Sequence, residues 1–329
     1  MTPMTMTPNP SPFNHVVAFE VSKARLVAHA LPADTQCEIA NTRSAARRLL
    51  QAEAKRNGKG GLGPLLVVCE ATGGYERHVL EAAAALGLPC HRAHGARVRF
   101  FARYLGLAAK TDPIDARMLA LYGLRTERLR LYAPPAPEEE ALRALKDRRE
   151  QVQQMLIAET NRLDHAHPGI LAGLRAHIRS LQIALKALET GIAELVRATA
   201  ELADKARLMQ SVIGVGPVTA TAFLAYLPEL GSLTKGQAAR LTGLAPINRD
   251  SGASSAPRRT EAGRTGLKRA LYMAAGIAMR RNPALAAFAA RLKSRGKPFK
   301  VVVTAVMRKL VVILNAILRD NQPCKHASA

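Results

Sequence analysis

The hydrophobic period of this 329-residue chain changes at "APPAPEEE" (133–140). That change limits what each part can become. Before it, short apolar runs alternate with stretches of helical spacing. "HVVAFEV" (15–21) reads as a strand and "ARLVAHAL" (24–31) as its hairpin partner. "PLLVVCE" (64–70) and "GLPCHRA" (87–93) read as two further strands, and 42–57 and 74–86 as helices. Strands alternating with helices predict an α/β layer with a mixed sheet over 15–132. "GKGGLGP" (58–64) lacks the Lys-Ser/Thr ending of a phosphate loop and leads into no helix, so it reads as a flexible turn.

After the prolines the period becomes helical. Leu174, Ile178, Leu181, Leu185, Leu188, Ile192 and Leu195 step by four and three, a heptad seam. Leu142, Leu145, Val152, Leu156 and Leu163 form a weaker one, and "HPGI" (167–170) separates the two. Residues 133–204 therefore read as a helical hairpin or a dimerising coiled coil; two amphipathic helices packed on their own domain remain the plainer alternative. Residues 205–329 form a third, mainly helical unit. Residues 1–14, Pro/Thr-rich, read as a disordered tail.

Charge narrows the function. The formal net charge is +23 and the pI about 10.7, which points to a polyanionic partner. From Arg258 to Lys325 there are 16 Lys/Arg against two acids, Glu261 and Asp320. That asymmetry predicts a phosphate-backbone surface, with Arg264, Lys268 and Arg269 among its contacts. Aromatic residues are sparse there, which argues against base stacking as the main force. Gly214 and Gly216 precede a helix-like run, as in a helix-hairpin-helix, where backbone N–H groups approach phosphate; a structural turn is the alternative. Tyr272 in "LYM" reads as core rather than as a second nucleophile. The four cysteines show no CxxC pairing, so neither a zinc site nor a disulfide framework is suggested. No signal core or bilayer-spanning run is expected, so the expected setting is a reducing cytoplasm, with no membrane.

Against this positive background, "KTDPIDARML" (110–119) places Asp112 and Asp115 three residues apart at a helix start. Two carboxylates on one face either hold a metal or compensate the helix N-terminus. Glu20 ends the first strand and Glu70 the strand "LLVVCE", where open α/β sheets place ligands. Strand-acid, strand-acid, helix-acid-acid is the layout of an RNase H-like nuclease, whose acids hold a pair of Mg²⁺ ions.

The ordered set of motifs resembles one family. "EVSKARL" (20–26), "CEATGGYE" (69–76) and "LAAKTDPIDARMLA" (107–120) are followed by "IGVGPVTATAFLAYLPELG" (213–231) and "LTGLAPINRDSG" (241–252). "AGRTGLKRALYMAA" (262–275), "RNPALAAF" (281–288) and "GKPFKVVVTAVMRKLVVILNAIL" (296–318) complete the set. Together they resemble the DEDD insertion-sequence transposases, the group that includes the pilin-gene DNA invertases and the bridge-RNA-guided recombinases. The resemblance covers nearly everything from His15 to Asp320. It implies a RuvC-like domain (15–132), a coiled-coil linker (133–204) and a C-terminal serine domain (205–329). Glu70, Asp112 and Asp115 fall on three of its four Mg²⁺-binding acids; Glu20 stands where the family has aspartate. Ser251 in "RDSG" falls on the proposed nucleophile, which forms a phosphoserine link to DNA. From the residues alone, a serine before glycine reads as a turn. Arg249, Arg258 and Arg259 are the cations expected to stabilise charge at the attacked phosphorus. The implied partners are DNA (element ends and target), a structured guide RNA and further copies, as a homodimer pairing into a tetramer. Two rivals remain: a Holliday-junction endonuclease in which water attacks, and a nucleic-acid-binding protein with a decayed site.

Overall fold

A computed structural model describes residues 12–60, 63–106, 112–247, 250–251, 254–255, 259–260 and 263–324. The chain forms two compact units that divide between Pro134 and Pro135.

The N-terminal unit is a five-stranded mixed sheet: β1 (His15–Val21), β2 (Arg25–Leu31), β3 (Thr35–Ala40), β4 (Leu65–Glu70) and β5 (Cys90–Ala93) in the order β3-β2-β1-β4-β5. β1, β2 and β3 pair antiparallel; β4 joins β1 and β5 joins β4 in parallel. This order is compatible with an RNase H-like domain. The helices are α1 (Arg43–Gly60), α2 (Arg77–Ala85), α3 (Gly95–Tyr104) and α4 (Asp112–Arg125).

Alternation decides what each face buries. Val17, Phe19, Val67 and Cys69 pack with Ala46 and Leu50 of α1 and Val79 and Ala83 of α2. Val16, Ala18, Leu66 and Val68 pack with Val98 of α3 and Leu119, Ala120 and Tyr122 of α4. Phe13 joins the second cluster, so the expected tail over 1–14 is ordered by that point; residues 1–11 lie outside the described residues. α1 runs on to Gly60, so the first glycines of "GKGGLGP" are helical rather than a turn. β3 was not foreseen. It is an exposed edge strand whose hydrogen bonds come from β2, so it needs no apolar alternation, and the Arg25–Glu38 ion pair (3.2 Å) lies across it.

The second unit is helical: α5 (Pro137–Leu163), α6 (Leu171–Ala198), α7 (Ala200–Gln210), α8 (Pro217–Tyr226), α9 (Lys235–Leu241), α10 (Thr265–Arg281), α11 (Pro283–Ser294) and α12 (Phe299–Asp320). A 3-10 turn at Pro168–Ile170 joins α5 to α6. The ion pairs Arg149–Glu189 (2.6 Å) and His177–Glu159 (3.5 Å) run in opposite directions along the two chains, so α5 and α6 form an antiparallel hairpin. Leu181 and Ile192 of the heptad seam are buried, while Leu174, Ile178, Leu185, Leu188 and Leu195 are half-buried. At its base, Leu142, Ile192 and Val196 share one core with Phe223, Leu271 and Leu310. α12 is long and apolar enough to cross a membrane, contrary to the expectation of no such run. Half of that stretch is buried, with Val302, Val306, Leu310 and Leu314 in the core.

Candidate active site

β1 and β4 are parallel with Phe19 opposite Cys69, so the next residues, Glu20 and Glu70, are neighbours across the strand pair. Each lies two residues beyond a side chain of the α4-covered face, Ala18 and Val68, so both carboxylates belong to that face. Both are half-buried. The first helical residue of α4 is Asp112, and Asp115, half-buried, stands one turn on. All four acids thus lie on one sheet face or on the helix that covers it. Carboxylate oxygens are the donors a hard divalent cation prefers, so the donor chemistry fits such a cation. Among the described residues, no three acid, histidine or cysteine side chains close into a group that could hold a metal ion.

Glu70 is fitted against the start of α3. A methyl group at Gly95 would overlap the Glu70 carboxylate, so glycine makes the room it occupies. The loop after Glu70 is tied down by Glu76, which the sequence reading did not single out. Its Oε2 accepts from Gly74 N (2.8 Å), Thr72 N (3.2 Å) and Thr72 Oγ1 (3.1 Å). Burial pushes the Glu76 carboxyl up, but its own backbone N–H and these donors together outweigh it and hold the group below the ordinary glutamate range. An acid just after two glycines, "GGYE", was the available signal.

In the second unit, Asp250–Ser251 pairs with Ser254–Ser255 as a two-residue ladder, and Arg259–Thr260 pairs with Pro246–Ile247. Arg249 and Arg258 lie outside the described residues. Gly214 adopts φ +103°, and a Cβ there would stand 2.8 Å from Ala278 Cβ and 2.9 Å from Ala274 O, so this glycine lets the turn close onto α10. Gly216 is the exposed N-cap residue of α8, with open space around it. Arg264 is held in a bidentate pair with Glu229 (2.8 and 2.9 Å). Lys268 is half-buried; Arg269 is exposed and pairs with Glu150 of α5. Arg280, Arg281, Arg291, Lys293, Arg295 and Lys297, on α10, α11 and the turn after α11, are also exposed. Tyr272, expected in the core, is 48% exposed.

Comparison with known proteins extends over both units. A model described as a transposase matches residues 21–170, and one described as the transposase IS116/IS110/IS902 family matches residues 206–290. The pilin gene-inverting proteins of Moraxella lacunata and Moraxella bovis are each 30% identical over 263 residues, 79% of this chain and 81% of the relative. An uncharacterized 43.6 kDa protein of insertion element IS110 from Streptomyces coelicolor is 30% identical over 173 residues, 51% of this chain and 40% of its own length. A sheet with two neighbouring acids at its strand ends and a likeness that runs along most of the chain agree: this chain belongs to the IS116/IS110/IS902 family of transposases and is a DNA transposase.

Proposed function

We propose that this protein excises and inserts, or inverts, a mobile DNA segment by cutting and rejoining strands through a covalent serine link. The observation that carries the reading is the adjacency of Glu20 and Glu70 on the face that α4, with Asp112 and Asp115, covers. These four acids would hold Mg²⁺, which neutralises charge on the attacked phosphate when bound. Ser251 Oγ would form a P–O bond while one strand P–O bond breaks. The serine proton goes to a base, and the departing strand oxygen takes up a proton. The reverse exchange rejoins strands with no net loss of ester bonds. Arg249, Arg258 and Arg259 stand near Ser251 in sequence and would offset charge at the attacked phosphorus. The domain reading follows the same roles: 15–132 as the RuvC-like acid domain, 133–204 as a coiled-coil linker and 205–329 as the serine domain. A structured RNA would choose donor and target DNA, and copies would pair as dimers into a tetramer in the cytoplasm. The test is denaturing electrophoresis of protein incubated with DNA carrying an element end. Wild type is expected to yield a covalent protein–DNA adduct, and Ser251→Ala none. Adduct surviving in Ser251→Ala would reject the serine; cleavage with no adduct in wild type would favour attack by water.

A further inference from the structure

Among the described residues, the apolar contacts of α3 lie on one side. Val98 is buried, and Phe101 meets Tyr122 edge-on with ring centroids 5.6 Å apart. The opposite side carries Arg97, Arg99, Phe100, Arg103 and Tyr104, all exposed. Phe100 is 67% exposed and Tyr104 75%, the highest value of any large apolar side chain among the described residues. A single exposed ring needs no explanation. Here two rings stand four residues apart and therefore on one stripe, about 6 Å apart along the axis. Arg97 lies one turn before Phe100, and Arg99 one turn before Arg103, so guanidinium groups flank the rings on both sides. None of these three arginines has an ion pair among the described residues. A second observation ties the stripe to the candidate site: α3 begins at Gly95, which abuts the Glu70 carboxylate.

We propose that this face of α3 binds an unpaired stretch of the DNA substrate, with bases stacking on Phe100 and Tyr104 and phosphates held by Arg97, Arg99 and Arg103, and so leads the strand to Glu70. The proposal rests on the recombinase reading above and names the form in which that site meets its substrate. Base stacking on aromatic rings needs free π-faces, which a duplex hides within its own stack. Arginines with no ion pair among the described residues supply the complementary charge. They also argue against a second copy as the occupant, because a two-fold contact would set this patch against itself and bring arginine onto arginine.

The chain has no tryptophan, so Phe100→Trp places one reporter in the stripe. Titration of full-length Phe100→Trp with an oligothymidylate is expected to quench its emission to saturation, and a blunt duplex of the same length to leave it nearly unchanged. In parallel, Phe100→Ala with Tyr104→Ala should weaken oligothymidylate binding about tenfold per ring, with duplex binding and melting temperature unchanged. Arg97→Gln with Arg103→Gln should weaken both ligands and flatten the salt dependence. Unquenched emission in a protein that demonstrably binds the oligomer would overturn the proposal. So would a folded double alanine variant that binds it like wild type. Sedimentation showing loss of self-association in that variant, with oligomer binding intact, would make the face an interface between copies instead. Wild type that binds no nucleic acid of any form would remove the recombinase reading itself.

Discussion

Lys146 Nζ lies 3.4 Å from Thr221 Oγ1, and this is the ammonium group's one hydrogen bond among the described residues. The lysine is 5% exposed and forms part of the wall of a largely apolar cleft of about 720 Å³ between α5, α6, α7 and α8. Burial pushes its pKa down to about 8, and the nearby Arg149 charge adds to the shift while Glu189 opposes it. The unfolded chain would hold the proton up to the ordinary lysine value near 10.4. Below pH 8 both states are protonated and the full burial penalty stands. Between about 8 and 10.4 the unfolded state binds more protons, so this group's contribution to stability rises with pH. The expected gain is on the order of 2–3 kcal/mol across that window. Denaturant unfolding at pH 7.5 and 9.5 should show wild type gaining on Lys146→Met. Parallel pH profiles would mean the ammonium is solvated.

Arg264 Nη1 also donates to Tyr226 O, and together with the Glu229 pair this fastens the start of α10 to the end of α8 and the turn beyond it. A planar fork fits that arrangement and an ammonium does not. Arg264→Lys should therefore lower stability by about 1–2 kcal/mol while changing DNA affinity by less than about twofold. A variant of unchanged melting temperature with weakened DNA binding would instead make Arg264 a phosphate contact. Calorimetry and anisotropy on the same preparation separate the two outcomes.

Gly123 lets α4 settle onto the sheet. A Cβ there would stand 2.7 Å from Val68 Cγ2 and 3.1 Å from Val16 Cγ1, both in the buried core. Gly123→Ala favours the helix by roughly 1 kcal/mol, but overpacking costs about 1–3 kcal/mol and a β-branched wall cannot swing aside. The net expectation is a small loss of stability and a larger loss of strand exchange, because α4 carries Asp112 and Asp115. Val68→Ala in the same protein opens the space and should recover part of the melting temperature. A double-mutant cycle showing simple additivity would deny the contact.

Periodic features were legible in the sequence. β1, β2, β4 and β5 announce themselves because buried strands must be apolar, and the heptad seam because facing helices repeat. Contacts remote in sequence were not legible. Gly214 reads either as a phosphate-approach glycine or as a structural turn, and its packing against α10, some sixty residues on, is visible in no local pattern. Arg264 reads as one more cation in a basic run until Glu229 is seen across from it. Tyr272 in "LYM" reads as core, yet it stands away from the buried face that Leu271 and Ala274 form on the same helix. For the acids, the sequence order carried Glu20 and Glu70 to one face because strand register turns order into adjacency. How the start of α4 meets that face is not encoded in any local period.

The fit of Glu70 against Gly95 gives the most direct test of that acid. Gly95→Ala adds one methyl group where the carboxylate lies. What it meets is the far end of a flexible side chain, so the backbone can stay and the carboxylate must move. Gly95 opens α3 behind the His94 cap, whose ring accepts from Ala96 N (3.3 Å), and alanine suits that position. Stability should therefore change by less than about 0.5 kcal/mol. Activity should not be so tolerant, because displacements near 1 Å in a reacting group can reduce rates about a hundredfold. Gly95→Ala is thus expected to melt like wild type and to lose most strand exchange. Glu70→Asp shortens the side chain by one methylene, which alone withdraws the carboxylate and should also impair exchange. Combined with Gly95→Ala, the shorter acid no longer collides with the new methyl group, so the double variant should be no worse than Glu70→Asp alone. That non-additivity, read from strand-exchange rates in the four proteins, is the signature of direct contact. Losses that multiply would show that Gly95 acts through α3 as a whole and that Glu70 does not depend on the space beside it.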